Sequence, residues 1–367
     1  MRDAGYQVSA ICPKAHDFSN SYELIDGIHI YRHPLPVEAD SAISYMLEYG
    51  LSLFWEFVLA IRVALERGFD IIHACNPPDT IFLIARFFRL FGKRFIFDHH
   101  DINPELYEAK FQRRDRWYWL LLRLERWTFA TADVSIATNE SYRRIAIERG
   151  GMQPDRVFVV RSGPDLRHIQ PAAACSELRR GHRYLVAYVG VIGRQEGLDL
   201  LLRSIDFMRS KLKRNDVQFV IVGDGTELDS LKRLSSELAI DDCVDFTGRV
   251  SDAKLWQVLN SADVCVNPDR ATAMNDMSTM NKILEYMAFG KPIVQFDLKE
   301  GRYSAGDASL YAAPDDVEDF AAKLSTLLDD SELRNTMGVE GRRRVENELA
   351  WHHQVPALLS AYSKAFS

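Results

Sequence analysis

Cysteine is scarce in this 367-residue chain, and the five present, Cys12, Cys75, Cys175, Cys243 and Cys265, form no CxxC pair and have no histidine at metal-ligand spacing. A disulfide framework and a zinc site built on cysteine are thereby excluded, and a reducing, cytoplasmic compartment is expected. Long apolar runs are lacking too. The opening MRDAGYQVSAICP has no signal-peptide core, and the longest apolar stretches are broken by Arg or Glu before they could span a bilayer. The sequence therefore predicts neither a secreted nor an integral membrane protein. Positive charge is in deficit, 45 Lys and Arg against 52 Asp and Glu, a net charge of -7. Nucleic acid is excluded as the main partner, because neutralising its phosphates needs a basic field. The GxGxxG fingerprint of dinucleotide enzymes is missing as well: Gly190-Val-Ile-Gly193 is misspaced for it.

What is present is an alternation of short apolar runs with stretches of helical spacing, long enough in total for two α/β domains. In the second half, strands are predicted at Arg183 to Gly190, Val217 to Val222, Val244 to Phe246, Val264 to Asn267 and Pro292 to Phe296. Helices are predicted at Leu198 to Leu212, Glu227 to Leu238, Asp252 to Ala262 and Asn281 to Phe289. Such alternation implies a doubly wound parallel sheet. The first half repeats the pattern more faintly, with strands at Gln7 to Cys12, Ile28 to His33, Ile71 to Ala74, Arg94 to Asp98, Val134 to Ala137 and Val157 to Val160. The stretch Gly163 to Gly181, rich in Pro, Ala and charge and without period, is read as the linker. Two Rossmann-like sheets are expected, one per half, with a ligand in the cleft they share.

The start departs from this pattern. Met1 to Tyr6 reads as the last turn of a helix that ends at Gly5 and runs straight into a strand, with no strand before it. A doubly wound domain places its first strand centrally, so the expectation is a first domain lacking that strand, in a fragment or a chain begun at the wrong codon.

Four pieces stand in order over roughly a hundred residues: Tyr188-Val-Gly-Val-Ile-Gly-Arg-Gln-Glu-Gly-Leu-Asp-Leu-Leu-Leu202, Ile221-Val-Gly-Asp-Gly225, Phe246-Thr-Gly-Arg249 and Lys282-Ile-Leu-Glu-Tyr-Met-Ala-Phe-Gly-Lys-Pro-Ile-Val294. Together they resemble the family 4 retaining glycosyltransferases of GT-B fold. The likeness extends into the first half through Phe97-Asp-His-His-Asp-Ile-Asn-Pro-Glu105, and the loop Asn275 to Lys282 resembles the branch that builds bacterial surface polysaccharides. The resemblance implies an N-terminal acceptor-side domain over 1–163, a nucleotide-sugar domain over 164–349, and a helix over 350–367 crossing back to the first domain.

The resemblance also implies roles at the donor site. Glu285, one turn into its helix, would accept both hydroxyls of a ribose. The start of the Asn281 helix would face the diphosphate, with Ser278 or Thr279 as cap and Lys282 as a point charge. Gly193 and Arg249 belong to the matched motifs and fall on the donor side. Family members carry an Arg and a Lys where this chain has Val191 and Glu196, and Arg194 is the expected substitute. The family's first paired carboxylate would fall at Met277, so either neighbouring Asp276 takes the sugar contact or it caps a turn. His100 matches the histidine that lines the donor sugar and is the expected catalytic residue, ahead of His99. No cofactor and no metal are expected, since no third ligand has suitable spacing to the two histidines. Retention without a protein nucleophile follows from the resemblance, with the leaving diphosphate taking the acceptor's proton.

Residues 86–126 hold ten Lys or Arg against six Asp or Glu, interleaved with Phe and Trp. This is either an anionic membrane surface contact for a lipid-linked saccharide acceptor, with the protein peripheral on the inner face of the membrane, or a pair of amphipathic helices with solvated Arg faces. Competing functions are an inactive remnant that binds nucleotide sugar without transfer and, more distantly, an NAD-type oxidoreductase.

Overall fold

The computed structural model describes residues 1–14, 18–34, 42–169 and 173–367, so residues 170–172 of the expected linker lie outside the described part. The chain divides into two compact units. One comprises Met1–Glu108, Gln112–Val160 and Ala357–Ser367, the other Ala109–Phe111 and Arg161–Pro356.

The second unit holds one six-stranded sheet of β8 (Tyr184–Val189), β9 (Val217–Val222), β10 (Val244–Gly248), β11 (Val264–Asn267), β12 (Ile293–Phe296) and β13 (Ser309–Ala312). The order is β10-β9-β8-β11-β12-β13 and every pairing is parallel. Continuous β-branched and aromatic runs such as Tyr-Leu-Val-Ala-Tyr-Val have no polar side to give to water, so both faces must be covered. Accordingly Tyr184, Val186 and Tyr188 enter one core with Leu198, Leu201 and Phe320, while Leu185 and Ala187 enter the other with Leu284, Met287 and Val345. The order reverses direction between β8 and β11. The crevice at such a switch point, beyond the carboxyl ends of the strands, is where this architecture binds ligands.

In the first unit, helices also separate the strands, but the single expected sheet is replaced by two. β1 (Ser9–Pro13), β2 (Tyr22–Ile25) and β3 (Ile28–His33) form a three-stranded sheet in the order β1-β3-β2. β4 (Ile71–Cys75), β5 (Arg94–His99), β6 (Val134–Ala137) and β7 (Val157–Val159) form a parallel one in that order. Among the described residues, β1 pairs only with β3 and β4 only with β5, so each has an open edge. β4 shows it: His73 and Cys75 are exposed, whereas β6, with neighbours on both sides, is wholly buried. β2 was not anticipated. It pairs antiparallel with β3 across a turn in which Asp26 and Gly27 both have positive φ, the chemistry of a two-residue hairpin. The opening turn is a single 3-10 turn, Arg2–Ala4, closed by Gly5 at φ 88.

Candidate functional site

At the switch point of the second unit, three loops are laced together after β8, β9 and β11. Ile192 N–H donates to Asp224 O at 2.9 Å and Glu227 N–H to Ile192 O at 3.0 Å. The approach is so close that a Cβ on Gly223, whose φ is 144, would collide with the carbonyl of Gly190, and one on Gly197, φ 63, with that of Pro268. Only glycine satisfies both the space and the backbone conformation there.

Helix Asn281–Ala288 packs over the end of β8. Val189 N–H donates to the Tyr286 hydroxyl at 2.8 Å, and Lys282 Cε lies 3.5 Å from where a Cβ on Gly190 would stand. Lys282 does not project as a free point charge. Its Nζ donates to Asp269 Oδ1 at 2.8 Å, with side-chain exposures of 11% and 1%, and stands 5.0 Å from the centre of the Tyr188 ring. Burial opposes the ammonium, but Asp269 and Tyr188 outweigh it and hold Lys282 protonated. Glu196, at the position of the family's cation, has its carboxyl raised above the usual range by burial, with Lys282 opposing that rise. Gly193 is buried beside it and Arg194 is exposed on the 3-10 turn Arg194–Glu196.

Glu285 follows Lys282 by three residues on the same helix face. Its carboxyl is partly buried, makes no hydrogen bond or ion pair with any described residue, and is pushed up by desolvation alone. A partly buried carboxylate with no protein donor is open to hydroxyl donors from a ligand.

Several expectations are corrected. Neither Ser278 nor Thr279 caps helix Asn281–Ala288: its N-cap residue is Met280, with no side-chain cap bond. The Ser278 hydroxyl donates back to Met274 O at 2.7 Å, closing the short helix Ala273–Met277, and Thr279 Oγ1 accepts from Arg161 at 3.3 Å. The polar loop thus spends its hydroxyls on its own fold. Asp276 Oδ1 accepts the Lys299 N–H at 2.8 Å, at the start of helix Lys299–Ala305. Arg249 is exposed just after β10, the edge strand of the sheet, next to Gly248, whose carbonyl accepts from the Gly223 N–H at 3.1 Å. Gly193, Arg194, Lys282 and Glu285 lie on the loop after β8 and on helix Asn281–Ala288, while Asp276, Ser278 and Thr279 lie on the loop after β11, which Asn275 Nδ2 ties to Gln195 O at 2.9 Å.

In the first unit, the carboxyl ends of β4 and β5 carry a second polar cluster. Along β5 the side chains alternate, so Phe95, Phe97 and His99 share one face and Ile96, Asp98 and His100 the other. His99 is fully buried among Phe97, Phe129 and Tyr142 at ring distances of 5.0–5.4 Å, and neither ring nitrogen finds a partner. Burial, with help from Arg149, lowers its pKa to about 3, so it is a neutral core group. His100 is exposed, with Nε2 3.1 Å from Asp98 Oδ2. Its backbone N–H and that of Asp101 both donate to Asn76 Oδ1, at 2.9 and 3.1 Å. Asn76 in turn donates to Asp79 Oδ1 and to Asp101 O. Sequence reasoning missed Asp269, Asp98, His73 and Asn76. Only Asp98 carried a signal, standing two residues before His100 on a strand. Among the described residues no group of three His, Cys, Asp or Glu is placed to hold a metal ion.

Comparison with known proteins bears on both units. Residues 1–163 match the family model for the glycosyl transferase 4-like domain, and residues 183–330 that for glycosyl transferases group 1. Sulfoquinovosyl transferase SQD2 of Arabidopsis thaliana is 25% identical over 293 residues, 76% of this chain and 53% of that protein. The chain spans about half the length of that relative and of D-inositol 3-phosphate glycosyltransferase of Nocardia farcinica, which it also matches. Among solved structures, sucrose-phosphate synthase of Thermosynechococcus elongatus superposes with a TM-score of 0.80 at 18% identity, covering 100% of this chain and 90% of that one. Anabaena Alr3699/HepE in complex with UDP and glucose gives 0.71 at 16% identity, covering 92% and 86%. The chain, with two α/β units that both match these models, belongs to the glycosyltransferases of GT-B fold.

Proposed function

We propose that the chain transfers a sugar from a nucleoside-diphosphate sugar to a saccharide acceptor, lipid-linked in the building of a surface polysaccharide, with retention and without a metal. The observation that carries this reading is Glu285, a partly buried carboxylate without a partner beside the switch point of the second unit. The ribose hydroxyls of the donor supply the donors it lacks. Gly190, Gly193 and the glycines of the neighbouring loops let backbone N–H groups approach the diphosphate. As the bond from the anomeric carbon to the diphosphate breaks, the acceptor oxygen attacks from the same face and its proton passes to the departing phosphate. The protein's part is positional and electrostatic, with His100 as the histidine assigned to catalysis.

Titration of the full chain with UDP tests the donor reading. Glu285→Ala weakens binding by about 1.5–3 kcal/mol, the loss typical of charge-assisted hydrogen bonds, and equal affinity of the variant would sink the assignment. UDP release from UDP-glucose with acceptor present persists in EDTA. A second reading, nucleotide binding without transfer, is favoured by one observation: Lys282 is already neutralised by Asp269, and Val191 and Glu196 replace two further cations. Binding of UDP with no turnover on any saccharide acceptor would select it.

A further inference from the structure

In the first unit, one carboxylate oxygen serves two imidazoles. Asp98 Oδ2 lies 3.0 Å from His73 Nε2 and 3.1 Å from His100 Nε2, and the other nitrogen of His73, Nδ1, lies 2.7 Å from the Tyr362 hydroxyl. The sheet register makes this meeting possible. Cys75 pairs with Asp98 and His73 with Ile96, which places the side chains of His73, Asp98 and His100 on one face of adjacent strands. From this geometry we propose that Asp98 and His73 are positioning residues that fix the tautomer of His100, with Tyr362 anchoring the far end of the chain of contacts.

The protons can be followed along it. Burial raises the Asp98 carboxyl, but the hydrogen bonds from His100 and His73 outweigh it and hold the group at about 2, so it is an acceptor only. Each Nε2 facing it therefore carries the hydrogen. In neutral His73 that leaves Nδ1 as an acceptor, matched by the Tyr362 O–H. In neutral His100 it leaves Nδ1 as a bare lone pair on a side chain that is 43% exposed. His100 thus presents an acceptor to a hydroxyl when neutral and a donor when protonated, and the protonated form is favoured by Asp98. The backbone is held independently by Asn76, so ring and main chain are fixed by different partners. Among the described residues, the other titratable groups acting on this cluster include Asp101, beside the ring in sequence, His99, neutral in the core, and Cys75 and Tyr362, both of which feel the Asp98 charge.

The role of His100 in transfer rests on the proposed function, but its placement does not, and the test needs no substrate. Long-range nitrogen–proton NMR of the full chain with labelled histidine reads tautomer and titration midpoint together, and His100→Gln identifies the resonance. The expected signature is a neutral His100 protonated on Nε2 with a midpoint above that of a free histidine. Asp98→Asn lowers the midpoint and mixes the tautomers. Should that variant fail to fold, His73→Phe serves instead: with Oδ2 left to His100 alone, the midpoint rises. An unchanged midpoint and tautomer in a folded variant of either kind would overturn the proposal.

Discussion

A histidine sealed in an apolar core ties stability to pH in a direction that can be worked out. His99 has its pKa lowered to about 3 from the ordinary 6.5, chiefly by burial, so between these values the unfolded chain binds a proton that the folded one refuses. Stability is then fully present above the unfolded pKa and is lost as the pH falls through that window, at up to about 1.4 kcal/mol per pH unit for this one group. His99→Phe, which suits a site already lined by Phe97 and Phe129, is expected to flatten that slope. Urea midpoints of the two proteins at a series of pH values check it, and parallel slopes would show that His99 is not the source.

Among the elements, helix Asn281–Ala288 depends on its ion pair with the loop after β11. Lys282→Met leaves Asp269, 1% exposed, as an unpaired buried charge. The expected cost is about 3–5 kcal/mol, most of it recovered when Asp269→Leu is added, because the penalty lies in the orphaned charge rather than in lost attraction. Denaturant unfolding of both variants measures this; a Lys282→Met chain of unchanged stability would mean that the pair is already open to water. Strand edges make a second prediction. β9 lies between β10 and β8 with all six residues buried, whereas β4 has one open edge and a half-exposed face. Its amides should open locally at lower free energy. Hydrogen exchange should show Val217–Val222 more protected than Ile71–Cys75, and equal protection would show that the open edge costs nothing.

At the scale of the whole molecule, charge and apolar surface are unevenly shared. The net charge is -7, yet in the first unit helices Phe82–Arg89 and Arg116–Thr131 present cations beside exposed aromatic and aliphatic groups: Leu90 is 81% exposed, Phe91 63% and Trp119 60%. Their inner faces, with Phe82, Ile84, Phe88 and Phe129, are buried, so amphipathic packing accounts for one side of each helix and not the other. Among the described residues no helix is long and apolar enough to cross a membrane. An interfacial contact is the proposal that fits the outer side. Vesicles of phosphatidylcholine with phosphatidylglycerol should cosediment the protein and pure phosphatidylcholine should not. Salt and Leu90→Ser/Phe91→Ser should each weaken the association, and indifference to lipid charge would refute it.

How much of this was legible beforehand depends on whether an interaction is local. Strands Ile28–His33, Val134–Ala137, Val217–Val222 and Val264–Asn267 are legible to the residue, because a short run rich in β-branched and aromatic residues, bounded on one side or both by Gly, Asp or Pro, is a local signal. The family motifs were equally local. The antiparallel β2, the split of the first unit into two sheets and the capping of helix Asn281–Ala288 were not, because pairing partners are chosen across the fold. The same division runs through the candidate sites. His100 and Glu285 could be named from their motifs, whereas the state of each is set by residues far away in the chain: His73 and Tyr362 act on His100 through Asp98, and Asp269 claims the charge of Lys282. A motif identifies which group stands at a strand end. Its charge, tautomer and freedom to bind depend on the dielectric and the partners around it, and only tertiary packing supplies those.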